Sequence, residues 1–286
     1  MTNGKQVQYD DQQWMLSVDT STTSMTAALT KGDRLIGEIS SRAERNHSLY
    51  LVPVLQRLMK EAGIRPSELS AFTVGVGPGS YTGARIGVTV AKTFAWTHKL
   101  ALMGVSTLEA IALGGAHLLS GQSHEEGQGE EDAVVSGGNL QALEAVAGQG
   151  SALGETVWVV PLIDARRGQA FTALYEAGLE GWICPVTDGI RLASAWVDEL
   201  LERAALHTPA RVVFAGELEL HREAIERFAA GWNGPVDVFE HSLRARYTAE
   251  LGRRRRLQGE TDDVFTLVPN YTQLAEAEAK LLANKS

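Results

Sequence analysis

One cysteine, Cys184, among 286 residues excludes an internal disulfide and a cysteine-rich zinc site. The seven histidines include no pair at i, i+4, the spacing that sets two imidazoles on one helix face for a metal. No serine sits in a G-x-S-x-G elbow; Ser80 lies in Gly77-Pro78-Gly79-Ser80-Tyr81, which is spaced differently. No acid–base pair can be named. No apolar run reaches the roughly 18 residues of a bilayer span. The opening MTNGKQVQYDDQQW has one lysine and no apolar stretch, so no secretory signal and a cytoplasmic location are expected.

Lysine and arginine are absent from Gly114–Gly154, which holds six acidic residues and 10 of the 29 glycines. That segment carries −6 of the chain's −9, leaving a nearly neutral −3 on the rest. Such a composition buries too little apolar surface to offset its ordering entropy. Residues 114–155 are therefore expected to be an insertion, mostly disordered over Gly121–Gly154, with a short helix at Asn139–Ala147. The net charge also weighs against direct nucleic-acid binding. The run Arg253–Arg256 reads as a solvated helix face or linker more readily than as an RNA contact.

What is present reads as a repeated plan. Strands are expected at Trp14–Val18, Met25–Thr30, Arg34–Ser40 and Phe72–Val76. One helix runs from Asn46 or Ser48 to Ala62, and another follows Gly75–Gly87 to about His98. After the insertion the pattern returns. Strands fall at Val157–Ile163, Gln169–Tyr175, Trp182–Val186 and Arg211–Ala215, with helices at Ser194–Ala205 and Leu220–Ala229. The lobes are expected at 12–113 and 156–265, with a terminal helix near 270–286 packing back on the first. This duplicated βββαβα plan, with Asp19 and Asp164 ending the first strand of each half, resembles the two-lobed actin-like and sugar-kinase-like ATPases, an α/β class.

In that fold the first hairpin holds phosphate and metal. Asp19-Thr20-Ser21-Thr22 suits the role, because hydroxyls and backbone N–H groups can face a phosphate; it is equally an ordinary polar turn. The second hairpin, Asp164-Ala165-Arg166-Arg167, has long arginines where glycines would let backbone approach a phosphate. Phe214-Ala215-Gly216-Glu217 offers one glycine and then a carboxylate where an adenosine would sit, which weighs against ATP.

The glycine-rich GVGPGSYTGARIG, Gly75–Gly87, follows a strand and opens a helix, as phosphate-binding loops do. Its glycines continue a different pattern, however. Gly83, Gly87, Ala91 and Ala95 recur at i+4, a strip of small residues that lets another helix approach closely. Ile86, Val88, Val90, Phe94 and Trp96 make other faces apolar. The preceding helix likewise exceeds one stripe with Leu49, Tyr50, Leu51, Val52, Leu55 and Leu58. Helices apolar on more than one side are buried or shared with a partner. The expectation is a partner surface made of Leu51, Leu55, Leu58, Gly83, Gly87, Ala91 and Ala95.

Gly77–Gly87 closely resembles the GPGSFTGLRIG signature of the bacterial TsaB (YeaZ) family. Ser17-Val18-Asp19-Thr20-Ser21, Asn46-His47-Ser48 with Pro53, Asp164–Arg167 and Pro269-Asn270-Tyr271 extend the match. Where the family commonly continues Tyr-Leu-Arg, this chain has Tyr271-Thr272-Gln273. The resemblance implies an actin-like fold and a noncatalytic paralogue of the TsaD transferase. It implies a scaffold that activates TsaD, works with the ATPase TsaE through the complex, and self-pairs as a homodimer when alone. It implies a part in placing threonylcarbamoyl on the adenosine beside the anticodon of tRNAs that read codons beginning with A. Contact with tRNA is then indirect, no membrane is involved, no cofactor is required by this chain, and ATP and metal belong to the partner. Asp19 to Thr22 are then a vestigial phosphate site. The alternative is an ATPase or small-molecule kinase using Asp19 as metal carboxylate and Thr20–Thr22 as cradle.

Overall fold

Three antiparallel strands, Trp14–Asp19 (β1), Met25–Lys31 (β2) and Arg34–Ser41 (β3), open the chain. Gly32, at φ 60°, takes the left-handed position of the β2–β3 turn without steric cost. Leu69–Gly75 (β4) then pairs parallel to β1, and Ala101–Val105 (β5) parallel to β4. The sheet order is β3-β2-β1-β4-β5. β1 and β4 are almost continuously apolar because both faces of a central parallel pair are covered. These coordinates are a computed structural model that describes residues 12–41, 47–119, 135–142, 155–178 and 180–272.

The second half repeats the first strand for strand. Val157–Asp164 (β6), Gln169–Gly178 (β7), Gly181–Leu192 (β8), Arg211–Gly216 (β9) and Val236–Glu240 (β10) form a sheet of order β10-β9-β6-β7-β8. Helices His47–Glu61 (α1) and Tyr81–His98 (α2) cover the first sheet. Ala193–His207 (α4) and Arg222–Gly231 (α5) cover the second. The duplicated two-lobed α/β fold is as expected, and each half carries one further strand and helix than the sequence suggested.

Those extra helices cross over. Thr107–Leu119 (α3) follows β5, yet Leu108, Ile111 and Leu113 pack with Val159, Val213 and Ala215 of the second sheet. Ala245–Leu257 (α6) follows β10, yet Ala249 packs with Met15, Ala71 and Met103 of the first. Gly252 lies so close to β4 that a Cβ there would meet Thr73 Oγ1 at 2.0 Å. The N-terminus of α6 is fixed by Glu38, which is wholly buried. It accepts from Arg244 Nη2 at 2.8 Å, Arg246 Nε at 2.8 Å and the Arg246 N–H at 2.9 Å. Burial raises this carboxyl, but the two guanidiniums outweigh it and hold it below the usual range. The expected limits 12–113 and 156–265 thus describe the two sheets and not the helices between them.

The insertion also needs correction at both of its described parts. Residues 114–119 complete α3, with Gly114, Gly115 and Ala116 buried. Residues 135–142 run along the open edge of β3, where Glu38 and Val135 exchange backbone bonds of 2.8 and 2.9 Å and Leu35 N–H donates to Gly138. Leu140 and Ala142 are buried. Asn139 bridges Arg34 instead of starting a helix; residues 120–134 and 143–154, including most of the expected helix, lie outside the described residues. Residues 258–272 return over the first lobe, tied by Asp262 N–H to Leu102 and Asn270 N–H to Val76, each at 2.7 Å. The expected terminal helix falls on residues 273–286, outside the described residues.

Candidate functional site

Ser80 caps α2, its hydroxyl accepting from Gly83 N–H at 3.2 Å. The loop before it closes on the β1–β2 turn. Ser80 N–H donates to Ser21 O at 2.6 Å, and Thr20 Oγ1 donates to Gly83 O at 2.7 Å. A Cβ at Gly79 would stand 2.1 Å from Ser21 O, one at Gly83 1.9 Å from Thr20 O, and one at Gly87 2.7 Å from Thr20 Oγ1. Backbone lies against backbone at Gly79 and Gly83, and Gly87 lies against the Thr20 hydroxyl, so a side chain has no room at any of the three.

Asp19 sits beneath this lid, fully buried. Its Oδ1 accepts Ser21 N–H at 2.8 Å and its Oδ2 accepts the Thr107 hydroxyl at 2.7 Å. Burial pushes the carboxyl up, partly opposed by those bonds. Thr20 and Ser21 are fully buried as well, and Thr22 turns its hydroxyl to Ser24 O. The four residues expected to face a phosphate are brought together, but they face the protein's own loop.

The second turn is closed from a different direction. Glu217, just past β9, accepts Asp164 N–H at 3.0 Å through Oε2 and reaches Thr23 of the first lobe through Oε1 at 3.4 Å. Burial pushes Glu217 up, which the Asp164 N–H bond opposes. Arg166 and Arg167 project into solvent from left-handed backbone, φ 65° and 55°.

The expected partner surface is turned inside out. Leu51, Leu55 and Leu58 are buried against Leu16, Val18 and Ile39. Gly83, Gly87, Ala91 and Ala95 face the β1–β2 turn and the sheet, where Gly87 would meet Val74 as well as Thr20. Small residues on α2 serve the protein's own close packing. What α1 and α2 expose is the bulky remainder: Leu49 and Trp96 at 66%, Tyr50 at 50%, with Val52 and Tyr81. On α2, Tyr81, Arg85, Thr89, Thr93 and Trp96 follow one another along the outer face. Apolarity on more than one helix side is the sequence signal for these residues, and the strip of small residues does not say which side is buried.

A cleft of about 640 Å³ opens elsewhere between the lobes, lined among others by Ser106, Glu109, Trp182, Asp188, Arg254 and Arg255. Asp188 is saturated by Ser106 Oγ, Tyr175 OH and Asn270 Nδ2. Cys184 on its rim has its thiol pushed up to about 11, first by desolvation and then by Asp188 and Glu109, so it is no thiolate at neutral pH. The arginine run is committed to the fold at two positions. Arg255 binds Gly104 O and Asp262, and Arg256 binds Ser70 O and Gln13. Among the described residues no three His, Cys, Asp or Glu side chains gather as a metal set.

The family model for TsaD, tRNA N6-adenosine threonylcarbamoyltransferase, matches residues 34–157. A Bacillus subtilis (strain 168) protein, tRNA threonylcarbamoyladenosine biosynthesis protein TsaB, is 33% identical over 275 residues, spanning 95% of this chain and 99% of that protein. The chain belongs to the TsaB family. Among solved structures, YeaZ from Pseudomonas aeruginosa superposes with a TM-score of 0.63 at 20% identity, covering 91% of this chain and 99% of that one, which supports the shared two-lobed fold. A Streptococcus pneumoniae (strain Hungary19A-6) tRNA N6-adenosine threonylcarbamoyltransferase is 29% identical over 161 residues, half of this chain and 46% of that protein. The transferase family model thus matches this chain from β3 to the start of β6.

Proposed function

We propose that this chain serves threonylcarbamoyladenosine formation on tRNA as a noncatalytic subunit that activates a TsaD-type transferase. The family membership carries the pathway, since the B. subtilis relative bears that name. The noncatalytic part rests on one observation. Asp19, the carboxylate a kinase or ATPase would need for metal, is fully buried and bonded through both oxygens to Ser21 and Thr107. A carboxylate that holds a catalytic metal must turn an oxygen toward a cavity that metal and substrate can enter. The ATPase or kinase reading therefore has no exposed donor at its central position.

In this reading the exposed apolar face of α1 and α2 receives the TsaD-type protein as a heterodimer partner. An apolar patch on two helices of an otherwise acidic chain is the usual mark of a docking surface. The same face allows self-pairing when the partner is missing. ATP and metal are bound by the partner, a TsaE-type ATPase joins through the complex, and tRNA is reached indirectly. The test is reconstitution with the TsaD- and TsaE-type proteins of the same organism, following tRNA modification with and without this chain. Modification should require the chain, and Trp96→Asp, at a 66% exposed position, should abolish both the heterodimer and the stimulation. ATP turnover by the isolated chain at a rate of order 1 per second would overturn the reading.

A further inference from the structure

Arg85 stands on the outer face of α2 in an arrangement that the partner reading alone does not require. Its guanidinium lies over the Tyr81 ring, 3.9 Å from the centroid, and 5.6 Å from the centroid of Tyr271, which arrives from the C-terminal strap. The two rings are 5.2 Å apart. Arg85 Nε donates to Tyr271 OH at 2.8 Å. Beyond a further bond to Tyr81, the two terminal amino groups make no ion pair with any described residue. An exposed arginine ordinarily loses rotamer freedom when it binds; here two aromatic faces and one bond have already fixed the plane. The fork so presented matches the two oxygens of one carboxylate.

We propose that Arg85, held by Tyr81 and Tyr271, is the charged anchor of the α2 face and takes a bidentate carboxylate from an Asp or Glu of the TsaD-type partner. The inference rests on the partner reading above. Its surroundings favour a protein carboxylate over an RNA phosphate. Phosphate tracking needs several free cations along one face, whereas the residues following Arg85 on this face are Thr89, Thr93 and Trp96. Lys92 beside them is occupied by the carbonyls of Phe265 and Leu267. A fixed arginine within an apolar, aromatic surround is the composition of an interface hot spot.

The test measures the heterodimer dissociation constant by calorimetry with the organism's own TsaD-type protein, alongside melting of each variant. Arg85→Ala should weaken binding about tenfold or more, and Arg85→Lys should recover only part, since an ammonium is not a fork. Tyr271→Phe keeps the ring, deletes the bond to Nε and should fall between; it decides the matter should Arg85→Ala melt early. Arg85→Glu should abolish binding and be rescued by one acidic-to-arginine change on the partner. Unchanged affinity in Arg85→Ala and Arg85→Glu, with Trp96→Asp still abolishing the complex, sinks the Arg85 proposal and spares the partner reading. Unchanged affinity in all three sinks both. Loss of tRNA retention with an intact heterodimer identifies an RNA contact instead and also overturns it.

Discussion

The two β-hairpin turns that end β1 and β6 occupy equivalent places in a duplicated fold, and they are shut by opposite means. At Asp19 the closure is backbone: a glycine-rich loop lies directly on Thr20 and Ser21, and the carboxylate beneath is lost to solvent. At Asp164 the closure is a side chain: Glu217 caps the turn's N–H and links it to Thr23 across the lobes, while Asp164 stays partly exposed. One fold position, filled by two unrelated devices, indicates that closure itself is what the chain retains. A backbone closure tolerates no added atom, whereas a side-chain closure can be trimmed at moderate cost. That asymmetry is open to measurement.

The largest effect is expected where backbone meets backbone. Gly83→Val places a branched side chain whose first atom alone would stand 1.9 Å from Thr20 O, so the loop must lift from the turn. Overpacking of this kind costs about 3 kcal/mol or more. Gly87→Leu, against the tip of Thr20 and one Val74 methyl, should cost less, about 1–3 kcal/mol. Urea unfolding checks both. A Gly83→Val protein that unfolded like the wild type would show that the loop is not closed in solution.

That prediction also marks what could and could not be read from the sequence. The eight expected strands and four of the six expected helices are present, because period and turn residues identify them locally; the helices expected at Asn139–Ala147 and 270–286 fall mostly outside the described residues. α3 escapes the pattern because it is buried on nearly every side, so no polar face marks its period, and because Gly114 and Gly115, which pack against Tyr247 and Ala215, fall in the glycine-rich acidic stretch. α6 is hidden in the sequence because its four arginines resemble a solvated run, although small residues such as Ala249 and Gly252 form its buried side. The helices of the candidate surface were found, yet their faces were exchanged. A strip of glycine and alanine says that something approaches closely, and nothing in the strip says whether that is a partner or the chain's own turn.

Asp19 sharpens the comparison through pH. Its folded-state pKa is raised above 3.8 by desolvation, so the folded protein holds a proton that the unfolded chain releases first. Stability contributed by this group is therefore present below the unfolded value and lost as pH rises through the folded one. Asp19→Asn keeps an acceptor for Ser21 N–H and cannot ionise. Its stability relative to wild type should be greater at pH 7 than at pH 4 in paired denaturation series. A constant difference across that range would show that Asp19 is not desolvated as the closed loop requires.

The side-chain closure should yield more gently. Glu217→Ala leaves the Asp164 N–H without its acceptor and removes the Thr23 link, at about 1–2 kcal/mol for a half-buried donor. Glu217→Gln keeps an acceptor of the same length and should recover most of that loss. If the glutamine variant were as unstable as the alanine one, charge and not hydrogen bonding would be the reason Glu217 is there.

The smallest effect separates the turns by backbone strain. Arg166, Arg167 and Gly168 are three successive left-handed residues, at φ 65°, 55° and 72°, while the Asp19 turn has no left-handed residue from 19 to 24. A non-glycine residue in this region costs about 1 kcal/mol, and Arg167 is exposed. Arg167→Gly relieves that cost but enlarges the unfolded ensemble, which returns about 0.4–1 kcal/mol of it. The net should be a stabilisation of well under about 1 kcal/mol, the only substitution of this set expected to raise the urea midpoint. Arg167→Gly should leave the folded chain intact. A clear drop in the urea midpoint would mean that the guanidinium is held by contacts within the chain and the strain is offset there.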